Sequence, residues 1–424
     1  MMSLLKLPKN YLSFFFLMLL AYLSLWYEYI HTFNFWGYMG FDLDFMPLRS
    51  IVSWLLFIIC THLILTMREM FFKTIVVFLF VYMAIPSMIY FQYNPSINFS
   101  AIGGSLILIA CFYLSSFIKI KLKPVTIGGN FSNFYIYCFL FISLIPYLIY
   151  YPLPDLSFSS NFYADIIYQV RTQYRSVEGP AFLSYYYGAL SRVILPFLIV
   201  FSLSTKKYSL FIICITIALY LFSLGALKSI IFGILLTVIF FFGKDFETKI
   251  YMILFGIIGL CFFSILETYL FNTYAINDNF VRRVFYLPVL LHEIYSNYFG
   301  TNYQYWSHTF IGQTLGFYDL NQSLTFFVGE NIMGLEGANA NVGVMTEGYF
   351  SAGYLGVFLQ STMIAIIFLI VRAVGISSAY IGVLLYFCYL INTSFLFPLL
   401  ATHGMLALLI LCLLRFRNLN ILRQ

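Results

Sequence analysis

Two polar stretches of this chain each carry a pair of arginines that could bind an anion. Arg171 and Arg175 stand four positions apart in DIIYQVRTQYRSVEGP, so on a helix their guanidinium groups share one face. Arg282 and Arg283 are adjacent in the second stretch. Arginine binds phosphate oxygens through paired, charge-assisted hydrogen bonds, so these residues predict a phosphate or pyrophosphate ligand. The first pair could instead be rim residues paired with acidic neighbours.

Two further cations lie within or beside apolar runs. Arg192 is several turns into an apolar segment, where a charge is costly and marks a functional-site hypothesis. Lys228 in LGALKSIIFG lies at a tight junction between two apolar segments. It either lines a polar cavity where a helix breaks or caps the preceding helix.

Two residues could activate a hydroxyl group. Glu347 follows the small and polar sequence GLEGANANVGVMT, which indicates a tight loop that lets a ligand approach closely. The imidazole of His308 is a second candidate acid or base. Equally, Glu347 could stabilise a helix start, and His308 could be a surface residue. No cysteine or histidine spacing indicates a metal site, and all seven cysteines lie in apolar segments. We therefore expect no metal and no cofactor.

The composition defines the elements that must position these residues. Of 424 residues, 62% are hydrophobic and 9% are charged, whereas soluble domains are about 25% charged. A soluble protein is excluded, and the apolar runs of about 20 residues predict an all-α polytopic membrane protein, one transmembrane domain over 1–424. The twelve predicted spans are 11–30, 50–67, 72–91, 100–118, 132–151, 181–203, 208–224, 227–242, 250–271, 349–371, 376–392 and 397–414.

The basic residues predict the orientation. With both termini in the cytoplasm, fifteen of the 22 lysines and arginines lie on the inner side, as the positive-inside rule requires. The others are Arg49, Arg171, Arg175, Arg192, Lys228, Arg282 and Arg283. Two long loops, 152–180 and 272–348, then lie on the periplasmic side. The inner loops are short and carry no nucleotide-binding motif, and the net charge of +6 reflects topology, so we expect no nucleic-acid partner.

The chain resembles the Wzy-type O-antigen, or oligosaccharide repeat-unit, polymerases of bacterial inner membranes. The likeness covers most of the chain from about residue 131. It rests on RTQYR…G before a span containing LPF, on LGALKS, on RRVFYLPVLLHEIYSNYF, and on NANVGVMTEGYFSAGYLGV followed by a last span with THG. The resemblance implies a fold similar to the C-type glycosyltransferases (GT-C). It also implies metal-independent transfer of a growing glycan from undecaprenyl pyrophosphate to a lipid-linked repeat unit in the membrane, with a chain-length regulator protein as a partner.

The resemblance also implies that important arginines fall in the large outer loops. Those would be Arg171, Arg175, Arg282 and Arg283, with Arg192 and Lys228 as deeper companions. In the mechanism we expect, arginines hold the pyrophosphate and stabilise the departing charge, while Glu347 or His308 activates the acceptor hydroxyl.

Three other functions fit parts of the sequence. An O-antigen ligase differs from a polymerase only in its acceptor. A polyprenyl-linked-sugar glycosyltransferase could use Asp42 and Asp44, which form a DxD in the first outer loop, to hold a divalent metal. Twelve spans with both ends inside also suit a lipid-linked oligosaccharide flippase.

Overall fold

The computed structural model describes residues 10–95, 98–127, 133–151, 180, 182–300, 302–318, 320 and 322–416. The described chain is almost entirely helical. Its only strands are a parallel pair of three residues each, β1 (Val125–Ile127) and β2 (Leu414–Phe416). The helices are α1 Tyr11–Trp36, α2 Pro47–Thr66, α3 Met70–Leu79, α4 Ile85–Tyr93, α5 Ser100–Ser115, α6 Asn133–Tyr150, α7 Phe182–Ala189, α8 Leu195–Ser204, α9 Tyr208–Gly225, α10 Lys228–Phe241, α11 Phe246–Phe271, α12 Leu287–Phe299, α13 Phe310–Thr314, α14 Leu324–Phe327, α15 Val344–Ala373, α16 Ile381–Ile391, α17 Leu396–Leu400 and α18 Met405–Leu413.

In the part of the chain that the structure describes, eight helical stretches are long and apolar enough to cross a membrane. They are Tyr11–Met39, Pro47–Thr66, Met70–Tyr93, Phe182–Ser204, Tyr208–Gly225, Phe246–Phe271, Val344–Ala373 and Leu396–Leu413. The shorter apolar helices are Ser100–Ser115, Phe134–Tyr150, Lys228–Phe241 and Ser378–Ile391. Together these coincide with the twelve apolar segments predicted from the sequence. The prediction of an all-α, multi-pass membrane protein is therefore confirmed.

The chain forms two compact units. Unit 1 comprises Met1–Lys119, Phe246–Leu369 and Cys388–Leu396. Unit 2 comprises Ile120–Asp245, Ile370–Phe387 and Phe397–Gln424. Within unit 1 the stretch Met70–Tyr93 is buried along its length, as expected for a membrane helix that contacts protein on every face. The assignment of 1–424 to one transmembrane domain stays a prediction.

Three wide helical turns, which are short π-helical segments with i→i+5 hydrogen bonds, have a common cause in the sequence. They are Phe80–Ala84, Leu190–Ile194 and Asn277–Tyr286. Each is followed by a proline at the start of the next helix: Pro86, Pro196 and Pro288. A proline ring collides with the carbonyl group four residues earlier and cannot donate the helical hydrogen bond, and a wide turn relieves both problems. This is how Arg192, four residues before Pro196, comes to lie in a wide turn.

The span predicted over 349–371 is a broken helix. Helix α15 changes direction at Ala352 and Gly353, and Gly353 has φ 60° and ψ −148°. A side chain on Gly356 would collide with the carbonyl oxygen of Gly348, so the two halves fold back against each other. Gly348 and Gly356 therefore permit close packing within this one helix. Its first half, up to Ser351, is a short segment distinct from the long second half.

The segment 272–348, predicted as a long loop between two spans, contains short helices. It contains the wide helix Asn277–Tyr286, then α12, α13, α14 and the beginning of α15. The stretch is too polar to register as a membrane span, yet its apolar residues pack into a core of their own around Tyr295 and Phe350. The other predicted loop, 152–180, lies outside the described residues except for its last residue.

Candidate functional site

The break in α15 determines where His308 lies. Ending the first half of the helix at Ser351 leaves its last carbonyl groups without helical partners. The N–H of Gln304 donates to the carbonyl oxygen of Phe350 (2.9 Å), and that of Tyr305 donates to Ser351 (3.0 Å). These two bonds attach the segment before His308 to the end of the half-helix that carries Glu347.

His308 and Glu347 form a hydrogen-bonded pair. The Nε2 atom of His308 lies 3.0 Å from Oε1 of Glu347, across 39 residues of sequence. A carboxylate only accepts hydrogen bonds, so with Glu347 ionised the proton of a neutral imidazole is on Nε2, and the lone pair on Nδ1 is available to take a proton. Among the described residues Nδ1 has no hydrogen-bond partner. The arrangement has the geometry of an imidazole oriented by a carboxylate.

The surroundings of the pair are apolar and closed. Both side chains are buried, and the imidazole packs against the rings of Phe350 and Phe395, with centroids 5.1 and 4.9 Å away. The second carboxylate oxygen of Glu347 accepts the backbone N–H of Leu396 at 2.6 Å. Glu347 thus also satisfies a free N–H at the start of α17. Since Nδ1 is enclosed, an acceptor hydroxyl reaches it only if part of the aromatic wall moves.

Gly343 belongs to the small-residue loop before Glu347. Gly343 was expected to let a ligand approach closely. A side chain there would instead collide with the backbone of Ile391 and Asn392, so its smallness serves packing within unit 1. Glu347 itself lies in the first turn of α15, where the helix dipole favours a carboxylate, in agreement with the structural alternative.

An exposed apolar patch adjoins His308. It consists of Tyr305, Phe310, Ile311, Leu315 and Phe317, which are 54–81% exposed. The sequence carries no charged residue between Glu293 and Asp319. An uncharged, aromatic surface of this kind is typical of a segment at the membrane interface. The exposed apolar residues thus lie close in sequence to His308 of the pair.

Arg282 is held by its own chain. Its guanidinium group donates from both Nε and Nη2 to Oδ1 of Asp278, one helical turn earlier. Its plane lies over the indole of Trp36, 4.2 Å from the centroid, and Nη1 is 3.2 Å from the sulfur of Met39. With 3% of the residue exposed, these contacts leave Arg282 little access to a ligand. Arg282 thus connects the wide helix Asn277–Tyr286 to the end of α1.

Arg283 is the accessible member of the pair. Its side chain is 49% exposed, and Nη2 lies 3.6 Å from the other carboxylate oxygen of Asp278. One aspartate thus faces two arginines, which leaves a net positive charge at this surface. An exposed guanidinium group with an excess of positive charge beside it suits an anionic ligand.

The deeper cations belong to unit 2. Arg192 is buried within its span, near enough to Tyr187, Tyr386 and His403 for electrostatic interaction, and its Nε has no hydrogen-bond partner among the described residues. Lys228 is the half-buried first residue of α10, after Ala226 turns the chain at φ 46°. It lies at the predicted junction, at the start of a helix.

Arg171 and Arg175 lie outside the described residues. The pyrophosphate site predicted for them is therefore an expectation from the sequence alone.

Helix α12 carries a stripe of His292, Tyr295, Tyr298 and Phe299, a pattern typical of a segment in the membrane interface. Only Tyr298 is exposed; the other three are buried. His292 bonds through Nδ1 to Thr346 and through Nε2 to Ser100, both at 3.0 Å. Burial lowers the pKa of His292 to about 4, so this imidazole is neutral at physiological pH. It supports the half-helix of Glu347 from the opposite side.

The two DxD residues, which were predicted to lie in an outer loop, are both exposed. Asp42 and Asp44 lie in the turn between α1 and α2, and partial burial and the charge of Asp44 raise the pKa of Asp42. Within the described part of the chain, no third histidine, cysteine or carboxylate joins them to make a metal-binding group.

Fold and site together define a polytopic α-helical membrane protein with a buried histidine–carboxylate pair. No protein-family model matches the chain, and no curated protein and no solved structure is significantly similar to it.

Proposed function

We propose that this protein is a lipid-linked glycan polymerase of the bacterial inner membrane. In this proposal it has twelve spans, both termini in the cytoplasm and an active centre on the periplasmic side. The helices that coincide with all twelve apolar segments support the span count, and the distribution of Lys and Arg supports the orientation. We further propose that the fold is similar to that of GT-C enzymes.

The single observation that carries the proposal is the His308–Glu347 pair. Glycosyl transfer to a hydroxyl group needs a base for the acceptor proton, and an imidazole oriented by a carboxylate provides one. In the step we propose, the acceptor O–H gives its proton to Nδ1 of His308. The oxygen forms a bond to the anomeric carbon of the donor glycan, and the bond from that carbon to the pyrophosphate breaks. Lipid pyrophosphate leaves with the electron pair.

The departing pyrophosphate needs positive charge. In unit 1 the exposed Arg283 supplies it, while Arg282 and Asp278 hold the helix in place. Arg171, Arg175, Arg192 and Lys228 stay the predicted ligands from the rest of the chain. The apolar patch near His308 supports a substrate that arrives on a lipid carrier. No metal enters this mechanism, because the arginines neutralise the leaving group.

The test is the surface-glycan ladder of a deletion strain. We expect deletion to leave core plus one repeat unit, and the wild-type gene to restore the ladder. His308→Ala, Glu347→Gln and Arg283→Ala are expected not to restore it at normal protein levels in the membrane. Glu336→Gln, which removes an exposed carboxylate from the same segment, is the matched control and should restore it.

Chemical rescue separates catalysis from structural support. Added imidazole should restore chain extension in membranes that carry His308→Ala and not in those that carry Arg283→Ala, because it replaces the base alone. Full ladders from all three variants would refute the proposal. Loss of every repeat unit on deletion would instead indicate a ligase or a flippase, and EDTA-sensitive extension lost with Asp42→Ala would indicate a DxD glycosyltransferase.

A further inference from the structure

A second polar cluster lies inside unit 1, away from the contacts of His308. Glu28 is on the membrane-spanning helix α1 and is 1% exposed. Its Oε2 accepts the hydroxyl of Ser264 on α11 at 3.0 Å and the side-chain amide of Asn277 at 2.7 Å. Within the described residues no lysine or arginine forms an ion pair with Glu28. The carboxylate has only neutral donors.

Two acceptor oxygens in this cluster have no donor. Oε1 of Glu28 and Oδ1 of Asn277 are enclosed and have no hydrogen-bond partner among the described residues. Reversing the amide of Asn277 would not help, because it would turn an oxygen toward the carboxylate in place of the NH₂ group. A buried charge compensated only by neutral donors is costly, and each unsatisfied acceptor adds to that cost. A bound positive charge would compensate the buried carboxylate and would give the unsatisfied oxygens a partner.

We propose that Glu28, Asn277, Ser264 and Thr32 form an intramembrane site for a monovalent cation, either a proton or a sodium ion. One carboxylate balances one positive charge, and the remaining groups are neutral oxygens of the kind that hard cations prefer. The hydroxyl of Thr32 completes the cluster, 3.4 Å from Nδ2 of Asn277. A lone carboxylate would leave a divalent ion half neutralised.

The titratable groups that face Glu28 cannot replace the cation. They are Cys261 on α11 and Tyr286 on the wide helix Asn277–Tyr286. Both are neutral when protonated and negative when ionised. Neither can supply positive charge.

Occupancy of this site would order the wide helix. Asn277 is its first residue, and the helix carries Arg282 and Arg283. A cation bridging Glu28 and Asn277 therefore attaches the start of that helix to α1, while Arg282 attaches it over Trp36. This inference rests on the cluster alone and does not depend on the polymerase activity.

The experiment is thermal unfolding of the purified full-length chain in lipid nanodiscs. Wild type is compared in sodium chloride and choline chloride at fixed pH, and across pH 5 to 9 at fixed salt. Glu28→Gln is the test variant, because its amide can donate to Oδ1 of Asn277 and so imitates the occupied site. Glu336→Gln, an exposed carboxylate, is the control.

For a sodium site, we expect wild type to be stabilised by several degrees in sodium relative to choline. For a proton site, we expect an additional loss of stability as pH rises, seen as a difference between wild type and Glu28→Gln. In either case Glu28→Gln should be as stable as the stabilised wild type and should lose the sodium effect or the additional pH effect. Glu336→Gln should keep that effect. Wild type that responds to neither condition, or a Glu28→Gln variant that responds equally, would overturn the proposal.

Discussion

Gly353 is the residue on which the geometry of the His308–Glu347 pair most depends. Its φ of 60° with ψ −148° is a conformation that essentially only glycine adopts. A Cβ there would also lie 2.7 Å from the hydroxyl of Tyr303. Substituting alanine therefore strains the break that separates the two halves of α15.

The size of the effect can be estimated from these contacts. Backbone strain of this kind costs about 1–3 kcal/mol. The tyrosine hydroxyl is the end of a flexible side chain, so its displacement adds little. If the helix instead straightens, the hydrogen bonds from Gln304 and Tyr305 to the ends of the half-helix are lost, each worth about 1 kcal/mol. Both routes lead to a loss of about 1–3 kcal/mol.

The assay is unfolding of Gly353→Ala in nanodiscs, combined with the glycan ladder. Gly259→Ala is the matched control, because a Cβ at Gly259 on α11 meets nothing within 4 Å and alanine favours a helix. We expect Gly259→Ala to be neutral or slightly stabilising, with a normal ladder. Gly353→Ala should be destabilised and should give short chains, because His308 moves relative to Glu347. Equal stability and equal ladders for the two variants would refute the reasoning.

Three more predictions test the surroundings of the site. Burial lowers the pKa of His292 to about 4, below its unfolded value near 6.5. The associated stability, on the order of 3 kcal/mol, is therefore fully present above pH 6.5 and is lost as the pH falls toward 4, because protons bind the unfolded chain first. Unfolding measured across that range should show a smaller loss of stability for His292→Gln. Asp278→Asn leaves Arg282 buried without its carboxylate and should destabilise the protein by about 3 kcal/mol in a denaturant series, whereas the same change at the exposed Asp44 should have little effect. Phe310→Lys places a charge on the apolar patch and should reduce the quenching of tryptophan fluorescence by brominated lipids, while unchanged quenching would show that the patch does not contact lipid.

The spans were predictable because hydropathy is a local property. Each predicted segment coincides with helical structure, although the last one is divided into α17 and α18, and the tight junction predicted before Lys228 is a break at Ala226. The wide turns before prolines could also have been predicted, since Pro86, Pro196 and Pro288 are visible in the sequence. The break in α15 was hidden, because Gly353 lies inside an apolar run that reads as one continuous span.

The site was predictable in its members and not in its contacts. His308 and Glu347 were each identified as a possible base, but nothing in the sequence indicates that residues 39 apart share a hydrogen bond. The ion pair between Arg282 and Asp278 could have been predicted from the sequence, because Asp278 stands four residues before Arg282. Glu28 had a signal as well: a carboxylate within an apolar run is a functional-site hypothesis by default. Its partner Asn277 depends on the tertiary fold and could not be inferred.

The cations outside the inner-side pattern can now be separated by what they contact. Arg49 donates to the carbonyl oxygens of Asn94 and Pro95 just beyond the end of α4, and its guanidinium lies over the ring of Phe91. Such contacts satisfy the free end of a helix and explain why an arginine occurs on the side predicted to be periplasmic, without any ligand.

Arg282 likewise has its partners within the chain. For unit 1 this leaves Arg283 as the exposed cation whose position the fold does not explain by itself. We therefore expect Arg49→Ala to lower stability and keep the length distribution of the glycan chains. Arg283→Ala should keep the stability and shorten the chains. Short chains from both variants at equal protein levels would show that contacts within the chain do not separate structural from substrate-binding arginines.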